Sequence, residues 1–233
     1  MKRFLILSGM VALACASQAA ITIDDFTVGA FAMTGKADQY STQTGATPNI
    51  IQGFRYNSFA FSGNPSNRTM TSEIDAALPG NYFFEAGTGV SGSMVAAWFS
   101  GLQNGVSASG PGGLTTNDVT AFNPLVDLSG QTSLQLSYKD NDQNTTVNFG
   151  IYSADLSTAE EHSLAMTSGA GTLNMSLANF TNIDLSQIGG LYLRIEIPNG
   201  NDFTLTNYQA VPEPASIIAI GAGLAALARR RKR

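Results

Sequence analysis

The strongest constraint on the fold is a two-residue apolar period that recurs through much of the chain. Leu191, Leu193, Ile195 and Ile197 alternate with Tyr192, Arg194 and Glu196 in its clearest instance. Side chains of an extended strand point to opposite faces in turn, so this period marks a strand with one buried face. No long stretch carries the 3.6-residue period of an amphipathic helix. Leu134, Leu136 and Tyr138 alternate with polar residues, and Val147, Phe149 and Ile151 do so after Asp140-Asn141-Asp142-Gln143-Asn144. A polar run between two such segments predicts a β-hairpin. Leu173, Met175 and Leu177 predict another strand, and Phe203 and Leu205 begin the last one. Ile23 to Met33, Phe54 to Phe61, Tyr82 to Ala86 and Met94 to Phe99 are expected strands of the first half. Gly63 to Gly80 and Gly101 to Gly113 read as loops. Many short strands with Gly, Asn and Pro turns predict an all-β fold, a β-sandwich or jelly roll.

A second pattern agrees. Val126-Asp127-Leu128-Ser129 and Ile183-Asp184-Leu185-Ser186 each stand at the same interval before a strand, at Leu134 and at Leu191. Asp and Ser at such points hydrogen-bond nearby backbone amides and set a turn. Two equivalent strand entries are what a double Greek key shows.

At 233 residues the chain suffices for one domain with a real core. Its single Cys excludes an intrachain disulfide, and its single His excludes a polyhistidine metal site. The ends stand apart from the rest. Lys2 and Arg3, then apolar Phe4 to Ala16, then Ser17-Gln18-Ala19 read as a secretory signal cut between Ala19 and Ala20. A lipoprotein signal ending at Cys15 is the alternative; on either, Cys15 leaves the mature fold without a free thiol. At the other end, Val211-Pro212-Glu213-Pro214 precedes the uncharged stretch Ala215 to Ala228 and the basic run Arg229, Arg230, Arg231, Lys232, Arg233. That stretch spans ~21 Å as a helix, short of a ~30 Å hydrocarbon core. The basic run keeps to the cytoplasm. Five basic residues against 17 acidic ones remain once both ends are set aside, a net charge of −12. That argues against nucleic-acid binding.

The Pro-Glu-Pro motif at Pro212, Glu213 and Pro214, the short hydrophobic stretch and the Arg-rich end resemble the PEP-CTERM sorting signal. The resemblance implies a bacterium of Gram-negative type that makes exopolysaccharide. It also implies processing by a membrane-embedded exosortase, in a logic like that of other removed tails. It covers the tail alone. Residues 120–210, with their paired Asp-Leu-Ser blocks and Asp202-Phe203-Thr204-Leu205-Thr206-Asn207, resemble carbohydrate-binding-module-like jelly rolls in pattern.

The interior nominates no catalytic residue. His162 stands beside Glu160 and Glu161 in what reads as a solvated turn. No nucleophile-elbow motif accompanies any Ser. Asp140-x-Asp142-x-Asn144 copies the start of a calcium loop but lacks its Gly and Glu. Asp24 and Asp25 with Asp202 are the candidate ligands of a structural calcium ion if the two ends meet; otherwise no cofactor is expected. Trp98, Tyr82, Phe83 and Phe84 form either core or a sugar-stacking platform, with core the favoured reading. The expected organisation is a signal peptide (1–19), an extracellular β-sandwich (20–210) and a sorting signal (211–233). Within that last segment the motif is 211–214, the hydrophobic helix 215–228 and the basic tail 229–233.

The expected function is that of an exported, non-enzymatic structural or adhesive protein. It is held briefly in the inner membrane, then released to the cell surface or an exopolysaccharide-containing biofilm matrix. A carbohydrate-binding module is the alternative, and a glycan hydrolase using two carboxylates ranks third.

Overall fold

The computed structural model describes residues 19–44, 49–99 and 124–212. Within them the chain is all-β, with two short 3₁₀ turns at Ile51–Gly53 and Leu177–Asn179. The strands are β1 (Ile21–Asp24), β2 (Phe31–Gly35), β3 (Gln39–Thr44), β4 (Phe54–Gly63), β5 (Met70–Ile74), β6 (Tyr82–Ala86) and β7 (Ser91–Phe99). After them come β8 (Ser133–Asn141), β9 (Thr145–Ser153), β10 (Ala159–Met166), β11 (Gly169–Ser176), β12 (Ile188–Ile197) and β13 (Phe203–Val211).

They form two antiparallel sheets. The first has the order β11-β8-β13-β6-β5-β2, with β1 also on β13; the second has the order β10-β9-β12-β7-β4-β3. The inward residues of both sheets interleave in one core, which includes Leu134, Leu136, Phe149, Leu191, Leu193, Ile195 and Leu205. These are the residues that the two-residue period marks as buried.

The predicted hairpin of Leu134 to Ile151 does not form. Its first arm, β8, pairs with β11 and β13, and its second, β9, pairs with β10 and β12 in the other sheet. The polar run between them arches from one sheet to the other. Asp140 takes a left-handed φ of 56° there. The buried Asn141 amide donates to the carbonyls of Gln143 (2.7 Å) and Thr167 (2.8 Å) and tethers the arch. An arch and a hairpin bury the same alternate residues, so alternation could not separate them.

Other expectations need smaller corrections. Ile23 to Met33 is two strands, because Asp24 turns the chain by accepting the Phe26 amide (2.8 Å). The segment Gly63 to Gly80 is not all loop but contains β5. His162 lies in β10, not in a turn. The paired Asp-Leu-Ser blocks do set turns, with Ser129 N donating to Asp127 (2.8 Å) and Ser186 N to Asp184 (3.0 Å). They also lie side by side, since Leu128 N donates to Leu185 O (2.7 Å) and Val126 bridges Ile188. One block leads into β8 of the first sheet and the other into β12 of the second.

A true hairpin joins β9 and β10. Asp155 anchors its turn by accepting from Ser153 Oγ (2.6 Å) and from Ser157 N (3.0 Å) and Oγ (2.8 Å). Those donors, led by the Ser153 hydroxyl, lower its pKa to about 2. A folded value below the unfolded one stabilises the turn above the ordinary carboxylate range, and that support is lost as pH falls toward about 2. The Ser157 amide proton shift should therefore titrate with a midpoint of about 2. A midpoint at the ordinary value for Asp would show that these bonds do not persist.

Candidate functional site on the outer face of the second sheet

Reading the registers across the second sheet places its outward residues in rows. One row runs Ser163, Asn148, Arg194, Val95, Ser58, Tyr40 from β10 to β3. The next runs Glu161, Gly150, Tyr192, Ala97, Tyr56, Thr42 in the same strand order. A third places Tyr152 opposite Gly190 and Gly190 opposite Phe99.

Glycines let the large rings lie down. A Cβ on Gly150 would sit 1.9 Å from the Tyr192 ring, and one on Gly190 would sit 2.4 Å from the Phe99 ring. Each ring thus lies over its glycine, as a bare backbone position in a strand permits. Phe99 meets Tyr152 at 5.8 Å between centroids, and Tyr152 meets Tyr192 at 5.4 Å. With Tyr56, Val95, Ala97 and Leu156 they form a second buried apolar cluster, separate from the inter-sheet core.

Polar groups converge beside this cluster. Tyr192 donates its hydroxyl to Glu161 Oε2 (2.9 Å). Arg194 reaches Glu161 Oε1 (2.5 Å) with one terminal nitrogen and Glu196 with the other. Asn148, buried between strands, accepts from Ser163 Oγ (2.6 Å) and donates to Glu196 (3.3 Å). Burial raises the Tyr192 pKa, and the Glu161 charge raises it further. Burial likewise pushes Tyr152 to about 12. Arg194 is raised although its own burial opposes this, because Glu161 and Glu196 hold its charge. The face therefore presents neutral phenols and one guanidinium between two carboxylates.

The rim is open. Tyr40 is 65% exposed and stacks on Tyr56 at 6.3 Å. Three strand spacings, ~14 Å, separate it from Arg194 along one row. Between them lies Ser58, whose buried hydroxyl has no hydrogen-bond partner among the described residues. A carboxylate pair, an amide, a guanidinium and an exposed ring on one face suit a polyhydroxylated ligand.

The residues nominated by sequence lie elsewhere. Trp98, Tyr82 and Phe84 are core, whereas Phe83 is half-buried on the opposite side of β6, so the four make no common stacking platform. His162 bonds Glu160 (3.2 Å) and packs edge-on to Phe180. Glu160 in turn accepts the amides of Thr181 (3.2 Å) and Asn182 (2.9 Å) and clasps that turn to β10.

The ends do meet, with Ile21 opposite Ala210, but the calcium candidates do not. Asp24 faces Tyr208, six residues along the last strand from Asp202, ~20 Å. It accepts from Arg55 (2.7 Å) and Trp98 Nε1 (2.8 Å) in the core, while Asp202 accepts the Ala86 amide (3.1 Å). Among the described residues no group of three His, Cys, Asp or Glu side chains is placed to hold a metal ion.

Ala19 and Ala20 are exposed, and Gln131 donates to the Ala19 carbonyl (3.3 Å). Pro212 follows directly on β13. Glu213, Pro214, the stretch 215–228 and the basic residues 229–233 lie outside the described residues, as does Gly101 to Gly113. Among the described residues no helix is long and apolar enough to cross a membrane.

Sequence reasoning assigned Tyr192, Arg194 and Glu196 to one strand side but missed them as a site. The signal available was glycine inside otherwise strand-forming segments, at Gly150 and Gly190.

Comparison with solved structures returns carbohydrate-binding modules at very low identity. The family 11 module of a cellulosomal cellulase of Clostridium thermocellum is 10% identical, with 83% of this chain and 95% of that one covered and a TM-score of 0.39. The family 30 module of another cellulosomal cellulase of the same organism is 10% identical, with coverages of 84% and 99% and a TM-score of 0.42. An exo-beta-agarase is 11% identical over 83% of this chain and 24% of its own, at a TM-score of 0.40. No curated protein matches the sequence. One family does match, the PEP-CTERM protein-sorting motif, over residues 210–233. Its first residues, Ala210 and Val211, are the end of β13 itself. The chain thus carries at its C-terminal end the PEP-CTERM protein-sorting motif, which begins within the last strand of the β-sandwich.

Proposed function

We propose that this is a non-enzymatic adhesive protein of the cell surface or exopolysaccharide matrix, which holds glycan on the outer face of its second sheet. The observation that carries the reading is the Glu161–Arg194–Glu196 cluster on the same sheet face as exposed Tyr40, which lies ~14 Å from Arg194 along one row. Both carboxylates of the cluster are held by one guanidinium. Neither is left to act as the free acid that glycoside hydrolysis requires.

In the same reading, residues 1–19 are removed as a signal peptide between Ala19 and Ala20. The sandwich of 20–210 is exported, and 211–233 is the sorting segment. Pro212, Glu213 and Pro214 are recognised by the exosortase, and the stretch 215–228 with Arg229 to Arg233 holds the chain briefly in the inner membrane. Mass spectrometry of the native protein should find a C-terminus near Pro212 to Pro214, without the basic run. A chain ending at Arg233 in the membrane fraction would defeat this part.

A glycan array probed with the full chain tests the binding part. Saturable affinity for a polysaccharide is expected, lowered about tenfold by Tyr40→Ala, equivalent to ~1.4 kcal/mol. Turnover of any glycan would overturn the non-enzymatic assignment.

A further inference from the structure

We infer that the glycan taken by this face is uncharged, and that acidic polysaccharides are refused. The inference rests on the reading of the face as a glycan surface and names its ligand class. Five basic residues lie between the two ends of the chain: Lys36, Arg55, Arg68, Lys139 and Arg194. Arg55 is spent in the core on Asp24, with both side chains fully buried. Lys36 lies in the bend between β2 and β3, and Arg68 in the loop before β5. Lys139 belongs to β8, in the other sheet. Arg194 alone stands on the face, and it is already divided between Glu161 and Glu196.

Hydrogen-bond chemistry points the same way. The valences the cluster has left are mainly acceptor sites on its two carboxylates. The carboxylate that a uronate carries in place of a neutral sugar's hydroxymethyl group is acceptor-only and meets like charge there, whereas the hydroxyl it replaces donates as well as accepts. Glu196 is the more open of the two, its side chain 39% exposed against 26% for Glu161. A divalent cation bridging a uronate to the face would have to share Glu161 and Glu196 with Arg194.

The test is affinity electrophoresis of the full chain in gels containing laminarin or galactomannan, both neutral, and in gels containing polygalacturonate or alginate. Each is run at 0.15 M ionic strength, where long-range repulsion is largely screened, with EDTA and again with calcium. Retardation by a neutral glycan, with affinity for either uronate at least tenfold weaker under both conditions, is the expected result. Equal or tighter binding to a uronate, with or without calcium, overturns the inference and leaves the face a glycan surface. Silence in all four gels overturns the reading of the face, and the inference with it.

Glu196→Gln frees one arm of Arg194 and should raise affinity for polygalacturonate severalfold while weakening the neutral complex. The Glu161→Gln, Glu196→Gln double variant should do so more strongly. A folded Glu196→Gln variant, checked by near-ultraviolet circular dichroism, that gains no uronate affinity would show that pairing of Arg194 is not what refuses acidic glycans.

Discussion

Asp24→Ala is expected to destabilise the domain by about 3–5 kcal/mol, a large share of the 5–15 kcal/mol typical of a folded protein. Asp24 is fully buried and accepts from three donors: Phe26 N at 2.8 Å, Arg55 Nη1 at 2.7 Å and Trp98 Nε1 at 2.8 Å. Burial pushes its carboxyl up, and Arg55, then Trp98 and the Phe26 amide, oppose this. Alanine leaves the Arg55 cation buried, with the carbonyls of Val28 (3.0 Å) and Gly29 (2.9 Å) and the rings of Phe26 and Phe31 for company. Carbonyl dipoles and ring faces do not replace a full counter-charge, so most of the cost is the stranded guanidinium. Adding Arg55→Met should therefore recover a good part of the loss. Urea unfolding followed by emission of Trp98, the only Trp in the chain, measures both. A loss under ~1 kcal/mol for Asp24→Ala would mean that the network is incidental to stability.

Gly150→Val should cost about 1–3 kcal/mol and abolish glycan binding, although valine is much the better strand former. The added Cβ would sit 1.9 Å from Cε1 and Cζ of Tyr192. The ring must leave its place over the glycine, and its hydroxyl must leave Glu161, 2.9 Å away. Glu161 and Arg194 then lose the group that orients them. Tyr192→Ala added to Gly150→Val should relieve the overlap and return some stability without returning binding. A Gly150→Val protein as stable as the parent would be enough to discard the lying-ring geometry.

How far the site was legible follows from what alternation contains. Alternation divides Leu191 to Ile197 into a buried side and an outward side, and the structure keeps that division. The outward set of Tyr192, Arg194 and Glu196 meant little alone, because Glu161 lies in β10 and Tyr40 in β3. Those partners join the face only once β9 has been placed between β10 and β12, and β7 and β4 between β12 and β3. The Glu160-Glu161-His162 run drew notice for its His, yet the outward member is Glu161, because His162 and Glu160 fall on the opposite side of the same strand.

The sequence by itself determined the all-β class, most of the strands, the inward side of those whose alternation is clear in the second half, the acidic balance and the sorting tail. Each of these is written in local order: a two-residue period, a count of charges, a run of residue types. The tertiary structure decided which sheet each strand joins, and so turned the expected Leu134-to-Ile151 hairpin into an arch. It sent Asp24 to Arg55 and Trp98 instead of to a cation beside Asp202, and it laid Tyr192 over Gly150 with its hydroxyl on Glu161. Those outcomes depend on neighbours 31 to 74 residues away in the chain, as for Asp24 with Arg55 and with Trp98. The strand pattern is the same whichever neighbour is chosen; the choice is made by how the two apolar faces pack together and which buried polar groups then find partners.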